Sequence, residues 1–452
     1  MYANLLKHFS VVLMLMFFAD YSLLGSDIGI AASSMGTFRR GTPDETSNSH
    51  TTLVIDQLVE TRLSQVSLGY PAPDSKLSRA GLCEYTFPCL GCNLGLIEYA
   101  KESLVYLLDE ALDLWSSIIM QTPAPASPEI LSLLPALFPI FEAATDSVPQ
   151  ALQIAESYII LAPQEVLSDR VRLPMLASFE TLLKSTTRQR LGTVPRLVEL
   201  MIRGADTVDG GSENTYNVIS RSLIDSSFLA SLLEGLHSAH EASQTTGPNR
   251  KSTSVYGVAE TDYLSVLARL ALANPKIFAS AVTATTGTSE ETTLSWILTE
   301  WFSHYDNIGS VNQKKLHALA LTQLLYMNGP DTQPPPYILN HLQSYLSVWT
   351  DVVTELAEGA DADPSHPSAG DYLIFWNQTQ PGKFEENEPP ETERRRHWDT
   401  SDVIHNINIR DFVRTRLHSL IVGCGGEQPF QEGWLVNVDR EVVAAFGALG
   451  LF

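Results

Sequence analysis

Apolar residues recur at three- and four-residue spacing in one segment of this chain after another, a pattern that predicts amphipathic α-helices. Between Ser103 and Met120, leucine, tryptophan and isoleucine residues fall on one broad stripe, which a proline-rich turn at 123–128 ends. Ser127 and Pro128 are a suitable N-cap and first residue for the next helix. Alternating runs typical of β-strands are nearly absent. We predict helices at residues 103–120, 129–143, 148–161, 163–184, 193–204, 213–224, 226–240, 258–273, 275–284, 289–305, 311–327, 335–357, 403–422 and 429–447.

The number and even size of these segments favour an all-α repeat fold. Helices of this length bury little surface individually, whereas stacked pairs share one continuous core. Because helix pairs recur at about 40 residues, we expect a HEAT/armadillo-type α-solenoid of antiparallel helix pairs. The spacing alone also allows an irregular helical bundle, since no strict repeat consensus is present. The expected divisions are an atypical, partly disordered start with one apolar segment (1–55), HEAT-like helical repeats (56–360), an acidic mobile loop (361–401) and a carboxyl-terminal helix pair (402–452).

The charge balance narrows the choice of partners. The chain has 452 residues, of which 52 are acidic and 29 basic, so its formal net charge is −23 at pH 7. A surface this acidic argues against nucleic-acid binding and for basic protein partners. The four cysteines are too few for a disulfide scaffold in a chain of this length, which favours a reducing compartment.

The amino terminus is open to three interpretations. Lys7 and His8 precede an apolar run from Phe9 to Ala19, the order of features in a secretory signal peptide. The run is short for a transmembrane helix. It is otherwise a buried repeat helix, or a chain start that does not belong to the ancestral protein; we favour these two interpretations over the signal peptide.

Candidate metal and catalytic residues are few. Cys83, Cys89 and Cys92 offer three thiolates to zinc, but a fourth ligand is not evident, and small buried thiols are the better interpretation. His237 and His240 share a helix face without a carboxylate pattern around them, which favours a solvated helix end. Signatures such as Gly-x-Ser-x-Gly and His-Glu-x-x-His are absent from the sequence. We therefore predict that the protein is not an enzyme, and we assign no catalytic, cofactor-binding or metal residue and no cofactor.

Other short motifs have structural interpretations. Gly423–Gly426 lacks the phosphate-loop pattern and predicts a helix C-cap and hinge. Arg394–Arg396 is compatible with a short localisation signal, although its flanking glutamates favour a solvated linker. Asn377–Thr379 is a glycosylation sequon, which has meaning only in a secreted chain. Core packing is the expected role of the tryptophans in predicted helices, namely Trp115, Trp296, Trp301, Trp349 and Trp434.

Four features follow one another at the carboxyl-terminal end of the chain: residues 401–405, an amphipathic helix, a Gly-Glu-Gln-x-Phe-Gln joint and a Val-Asp-x-Glu-Val-Val close. In this order they resemble the carboxyl-terminal end of the importin-eleven subfamily of karyopherin-β nuclear transport receptors. Residues 401–405 stand in for the family's Asp-Pro-Val-His-like start, without its proline. Upstream segments that resemble the family in the same order are 107–115, 296–308, 314–325 and 385–396. The resemblance covers the chain from about residue 95 to its end.

This resemblance implies the carboxyl-terminal half of a nuclear import receptor, found in nucleus and cytoplasm, that cradles basic protein cargo on an acidic surface. Other implied partners are the Phe-Gly proteins of the nuclear pore and the Ran GTPase; nucleic acid and membrane are not expected partners. The family binds Ran through amino-terminal repeats, for which this chain shows no matching stretch. We therefore assign no Ran-contact residue.

Two other classes of function remain open. One is a helical-repeat scaffold of a cytosolic complex without a transport role. The other is a secreted or membrane-anchored protein that uses the apolar start as its signal, which contradicts an import function. The state of Asn377 and the mature amino terminus distinguish the secreted class from the other two.

Overall fold

The computed structural model describes residues 108–143, 146–184, 192–208, 210–245, 255, 257–361 and 388–451. Within these ranges every regular element is a helix. The chain divides into two compact units, 1–115 and 116–452. The helices described below lie in the second unit, except that the first helix begins in the first unit.

The bounds of most helices lie within a few residues of those that the sequence predicts. In chain order the α-helices are α1 Leu108–Gln121, α2 Pro128–Leu133, α3 Phe138–Ala143, α4 Val148–Leu161, α5 Pro163–Val166, α6 Asp169–Lys184, α7 Thr193–Thr207, α8 Glu213–Asp225, α9 Phe228–Gln244, α10 Val258–Ala273, α11 Pro275–Thr286, α12 Glu290–Ser303, α13 Val311–Leu324, α14 Pro336–Leu339, α15 Leu342–Asp361, α16 Pro390–Ser401, α17 Val403–Asn406, α18 Ile409–Gly423, α19 Glu427–Gly433 and α20 Arg440–Ala448. Short 3-10 helices lie at Leu134–Leu137, Tyr305–Asn307 and Leu435–Asn437.

Two rows of helices form the body of the second unit. In the first, which we call the central row, α4, α7, α10 and α13 each contact the next helix. In the second row α3, α6, α9 and α11 do the same. Helix α10 lies between neighbours on several sides, and twelve of its sixteen residues are buried. The all-α helical-repeat fold is thus confirmed, because each helix covers its apolar surface against helices of adjacent repeats.

The glycine joint after α18 is a helix cap, as the sequence predicts. The amide of Gly426 donates to the carbonyl of Ile421 at 2.9 Å, and that of Gly425 donates to Val422 at 3.0 Å. These are the two hydrogen bonds of a Schellman motif. Gly425 and Gly426 have φ values of 90° and 108°, which L-residues with a side chain rarely adopt.

Residues 388–406, which we call the strap, return to the central row from far along the chain. The strap consists of residues 388 and 389, α16, Asp402 and α17. Helix α16 contacts α4, and α17 contacts α13. The predicted acidic loop at 361–401 is therefore wrong for 390–401, which form a helix with Glu391 and Trp398 buried. Local sequence favoured a loop because this helix is polar almost all round; its contacts with the central row hold it in place. Residues 362–387 lie outside the described residues.

The predicted final helix, 429–447, is also interrupted. Helix α19 ends at Gly433, and α20 begins only at Arg440. Between them Val438 has extended backbone at φ −93°, ψ 141°, and its buried side chain closes the turn. Among the described helices, none combines the length and the apolar character that a membrane crossing requires.

Candidate functional site

An ion-pair cluster fastens the strap to the central row. Arg269 of α10 donates from Nη1 and Nη2 to the two carboxylate oxygens of Asp402, at 2.8 and 2.9 Å. Asp402 also caps α17, because its Oδ1 accepts from the amide of Ile404 at 3.2 Å. Both charged residues are almost fully buried, Arg269 with 5% and Asp402 with 4% of their surface exposed. A buried bidentate ion pair of this kind fixes both the position and the orientation of the Asp402 carboxylate relative to α10.

Two residues of α7, Glu199 and Arg203, also pair with the charged groups of this cluster. Glu199 accepts from Arg269 Nε at 2.5 Å, and Arg203 Nε lies 3.2 Å from Asp402. Burial raises the pKa of Asp402, but the charges of Arg269 and Arg203 outweigh burial and lower that pKa to about 2. Asp402 is therefore ionised at neutral pH, and two guanidinium groups share its charge.

Farther inside the row, α13 contributes the buried side chains of Lys315 and His317. Burial lowers the pKa of both groups. Burial lowers the pKa of Lys315 to about 7, against the opposing charge of Asp402. It also lowers the pKa of His317 to about 3, helped by Arg269. The neutral imidazole accepts a hydrogen bond from Trp301 Nε1 at 2.9 Å and pairs with the Ser265 hydroxyl at 2.9 Å. These groups form a buried polar core beside the ion-pair cluster.

At its start the strap is held by arginines. Arg394 donates to the carbonyls of Thr122 and Ile119 at the end of α1. Arg395 pairs with Glu156 of α4 and with Glu391 of its own helix. These residues lie in a helix and pair with other helices, so the solvated-linker interpretation of Arg394–Arg396 is wrong; the localisation signal stays a prediction. The partners of Arg394 and Arg395 in α1 and α4 lie more than two hundred residues away, beyond the reach of a local pattern.

Trp398 and the residues near it connect these two parts of the strap. The indole is 6% exposed, and the guanidinium of Arg203 lies 5.5 Å from the ring centroid. Gly204 of α7 lies close to the indole, where a Cβ would be in van der Waals contact with the ring at 3.4 Å. Along the strap, residues near 391–395, 398–399 and 402 thus contact α4, α7 and α10 in chain order.

A cleft between α9, α11 and α12 has acidic side chains in its lining. It encloses about 550 Å³, and Trp296 lies against the edge of His237 at a centroid distance of 5.1 Å. Glu234 and Glu241 line it from α9; the first is exposed and the second half-buried. Seven residues of helix separate the two carboxylates by about 10 Å along the axis. The cleft thus has two carboxylates beside an aromatic ring, and that of Glu241 lies 3.8 Å from His237 Nδ1.

A second His–Glu cluster lies close by, between α9, α10 and α12. His304 bonds Glu260 and Glu300 through its two ring nitrogens, each at 3.0 Å. His240 Nδ1 lies 2.7 Å from Glu300. The predicted solvated helix end is therefore wrong for His240. The Glu300 hydrogen bond raises the pKa of His304 most, against burial, and the Glu260 charge adds to the shift. The protonated imidazole of His304 thus forms internal ion pairs with the carboxylates of Glu260 and Glu300.

The structure separates the remaining candidates. Trp115, Trp301 and Trp349 are buried as expected, whereas Trp296 is half-buried in the cleft and Trp434 is half-buried at the end of α19. The cysteine pattern at 83–92, the apolar start at 9–19 and the sequon at 377–379 lie outside the described residues. Arg269, Glu199 and Lys315 were not identified from the sequence as candidate site residues. The signal available was a charged residue inside an otherwise apolar helix face.

The fold and these surfaces define an all-α helical-repeat protein. A family model described as "Importin-11-like, TPR repeats" matches residues 96–451. The chain therefore belongs to the importin-11-like family, and the resemblance seen in its sequence is confirmed. It is 24% identical over 361 residues to "Importin beta-like protein kap113" of Schizosaccharomyces pombe, an alignment that covers 78% of this chain and 32% of that protein.

Human and mouse relatives give the same result. The chain is 24% identical over 344 residues to "Importin-11" of Homo sapiens, covering 75% of this chain and 31% of the human protein. The mouse protein of the same name matches over the same share of each chain. This chain thus spans about a third of the length of the curated relatives that it matches.

Proposed function

We propose that this chain forms the carboxyl-terminal part of a nuclear import receptor and binds basic protein cargo. The family match over residues 96–451 supports this function, and the relatives that the chain matches are importins by name. The net charge of −23 supports the choice of basic cargo, because opposite charge steers association and disfavours acidic partners. Nucleus and cytoplasm are the corresponding locations.

The cleft of Glu234, Glu241 and Trp296 is the contact site that we assign to cargo. A lysine or arginine side chain fits between a carboxylate and an indole face, where it gains an ion pair and a cation–π contact. The spacing of the two carboxylates suits a segment with two basic residues about 10 Å apart. Phe-Gly proteins of the nuclear pore are a second class of partner, and Ran is assigned to no residue here.

The test measures binding of purified basic ribosomal proteins to the immobilised chain, with E234Q/E241Q as the cleft variant. We expect this variant to bind about fivefold more weakly, since each surface ion pair contributes up to about 1 kcal/mol. The control E427Q/E432Q removes the same charge from exposed positions of α19 and should change binding little. Equal loss in both variants would show non-specific attraction rather than a cleft site.

A helical-repeat scaffold without a transport role is the alternative. It predicts that the chain binds neither basic nuclear proteins nor a purified Phe-Gly repeat segment at physiological salt, about 0.15 M. Binding of both classes supports the import receptor. Binding of neither class, at low salt as well, contradicts it.

A further inference from the structure

The surface that receives the strap arginines is built to hold cations. Arg394 lies on the carbonyls of Ile119 and Thr122, at the carboxyl end of α1, where the helix dipole is negative. Arg395 reaches the carboxylate of Glu156. We call these two carbonyls and this carboxylate the arginine seat. All three groups accept hydrogen bonds, so the seat suits guanidinium groups whichever chain supplies them.

The two ends of the strap are held by forces of different strength. At the far end, Asp402 and Arg269 are buried and bonded in two places. At the near end, the Arg395 and Glu156 side chains are 39% and 33% exposed. Partly exposed ion pairs contribute little and weaken in salt, whereas breaking a buried pair costs several kcal/mol. The near end is therefore the end that opens first.

The packing of α16 agrees with this difference. Of its twelve residues only Glu391 and Trp398 are buried, so little apolar surface holds the helix down. Among the described residues, Glu391 Oε2 and Arg394 Nε are buried atoms without a hydrogen-bond partner. A helix with few apolar contacts and incomplete hydrogen bonds belongs to the least stable part of a fold.

From these observations we propose that the arginine seat is an exchangeable binding site. A basic helix of a cargo protein takes the place of Arg394 and Arg395, and the strap acts as an internal competitor. Charge complementarity identifies the occupant, because a bare seat leaves the Glu156 carboxylate and the carbonyl end of α1 uncompensated. The cargo identity rests on the proposed function; the seat itself rests on the contacts of the strap.

The experiment supplies the strap in trans. The probe is a fluorescein-labelled peptide of residues 388–402, and fluorescence anisotropy measures its binding. The variant R394Q/R395Q/R396Q removes the internal competitor, so we expect it to bind the peptide at least about tenfold more tightly than the wild type. Adding E156Q to this variant should abolish that gain. A peptide with glutamine at the same three positions should bind neither protein.

A charge-matched control separates the seat from general attraction. R170Q/R221Q/R414Q removes three arginines that are exposed in the structure and should bind the peptide like the wild type. Equal binding by this control and the strap variant would overturn the proposal, as would no binding by the strap variant. Because the assay contains no cargo, a negative result would contradict the exchangeable seat without bearing on the proposed cargo binding.

A second measurement, amide hydrogen exchange on the wild-type protein, tests the proposal even if the strap variant misfolds. Raising the salt concentration should speed exchange at the amides of 391–398, while those of α10 and α18 stay protected. Unchanged exchange at 391–398 would show that the near end of the strap does not open, and would also overturn the proposal.

Discussion

The carboxylate of Asp402 provides the sharpest test of how the strap is fastened. Replacing it with asparagine keeps the size of the side chain and removes its charge. The amide oxygen can still accept from Ile404, but its NH2 group then faces the donors of Arg269 or Arg203. Both arginines lose their shared counter-charge, and only Glu199 continues to pair with Arg269.

Burial of the ion pair and the lowered pKa of Asp402 together set the size of the stability loss in D402N. Removing one partner of a buried ion pair costs about 3–5 kcal/mol. The fall in the pKa of Asp402 from 3.8 to about 2 corresponds to about 2 kcal/mol of preference for the charged form. We expect D402N to lower the free energy of unfolding by about 3 kcal/mol, since Glu199 offsets part of the loss. Urea denaturation followed by circular dichroism measures this difference.

The same residue predicts a dependence on acid. A carboxylate whose pKa is lowered by folding stabilises the protein above its unfolded pKa, and this contribution is lost as pH falls through the folded value. The difference between wild type and D402N should therefore be constant at neutral pH and shrink between about pH 4 and pH 2. At neutral pH, D399N is the matched control, because Asp399 is 74% exposed and 3.8 Å from Arg203. It should cost less than about 1 kcal/mol. A D402N cost below that of D399N would refute the reasoning.

Two further substitutions test other contacts. A Cβ at Gly423 would lie 2.6 Å from the backbone of Thr332, so G423A should lower the free energy of unfolding by about 1–3 kcal/mol in a urea titration. G433A, where the structure shows open space, should be neutral or stabilising, and the opposite order would contradict the packing. H304Q should cost about 2 kcal/mol at pH 6 by loss of charged hydrogen bonds, including that to Glu300. Because folding raises the pKa of His304, this contribution is lost as pH rises through the folded value; a cost that grows toward pH 9 would exclude the imidazolium bridge.

Helix positions could be predicted from the sequence because a periodic apolar stripe and its caps are local signals. The predicted bounds of α4, 148–161, are those of the structure, and those of α10, 258–273, agree as well. The strap helix could not be predicted in this way. Its sequence is polar almost all round, and it is ordered by pairs such as Arg269 and Asp402, 133 residues apart.

The site was less accessible to sequence reasoning than the fold. Arg269 and Lys315 interrupt apolar helix faces, a signal that marks a buried charge but not its partner. The three consecutive arginines, 394–396, were visible as a motif, yet their acceptors include backbone carbonyls, which any sequence supplies. The tertiary arrangement alone distinguishes an internal ligand from a solvated linker.

The long return of the strap also determines the order in which the molecule assembles. Arg394 bonds the carbonyl of Ile119, 275 residues earlier, whereas neighbouring helices of a repeat meet over short loops that close quickly. During synthesis the ribosome makes residues 388–406 only after the whole central row has emerged. Until then the row presents Arg269 and Arg203 without the carboxylate of Asp402, so the buried ion-pair cluster of the nascent protein is completed only when the final helices arrive.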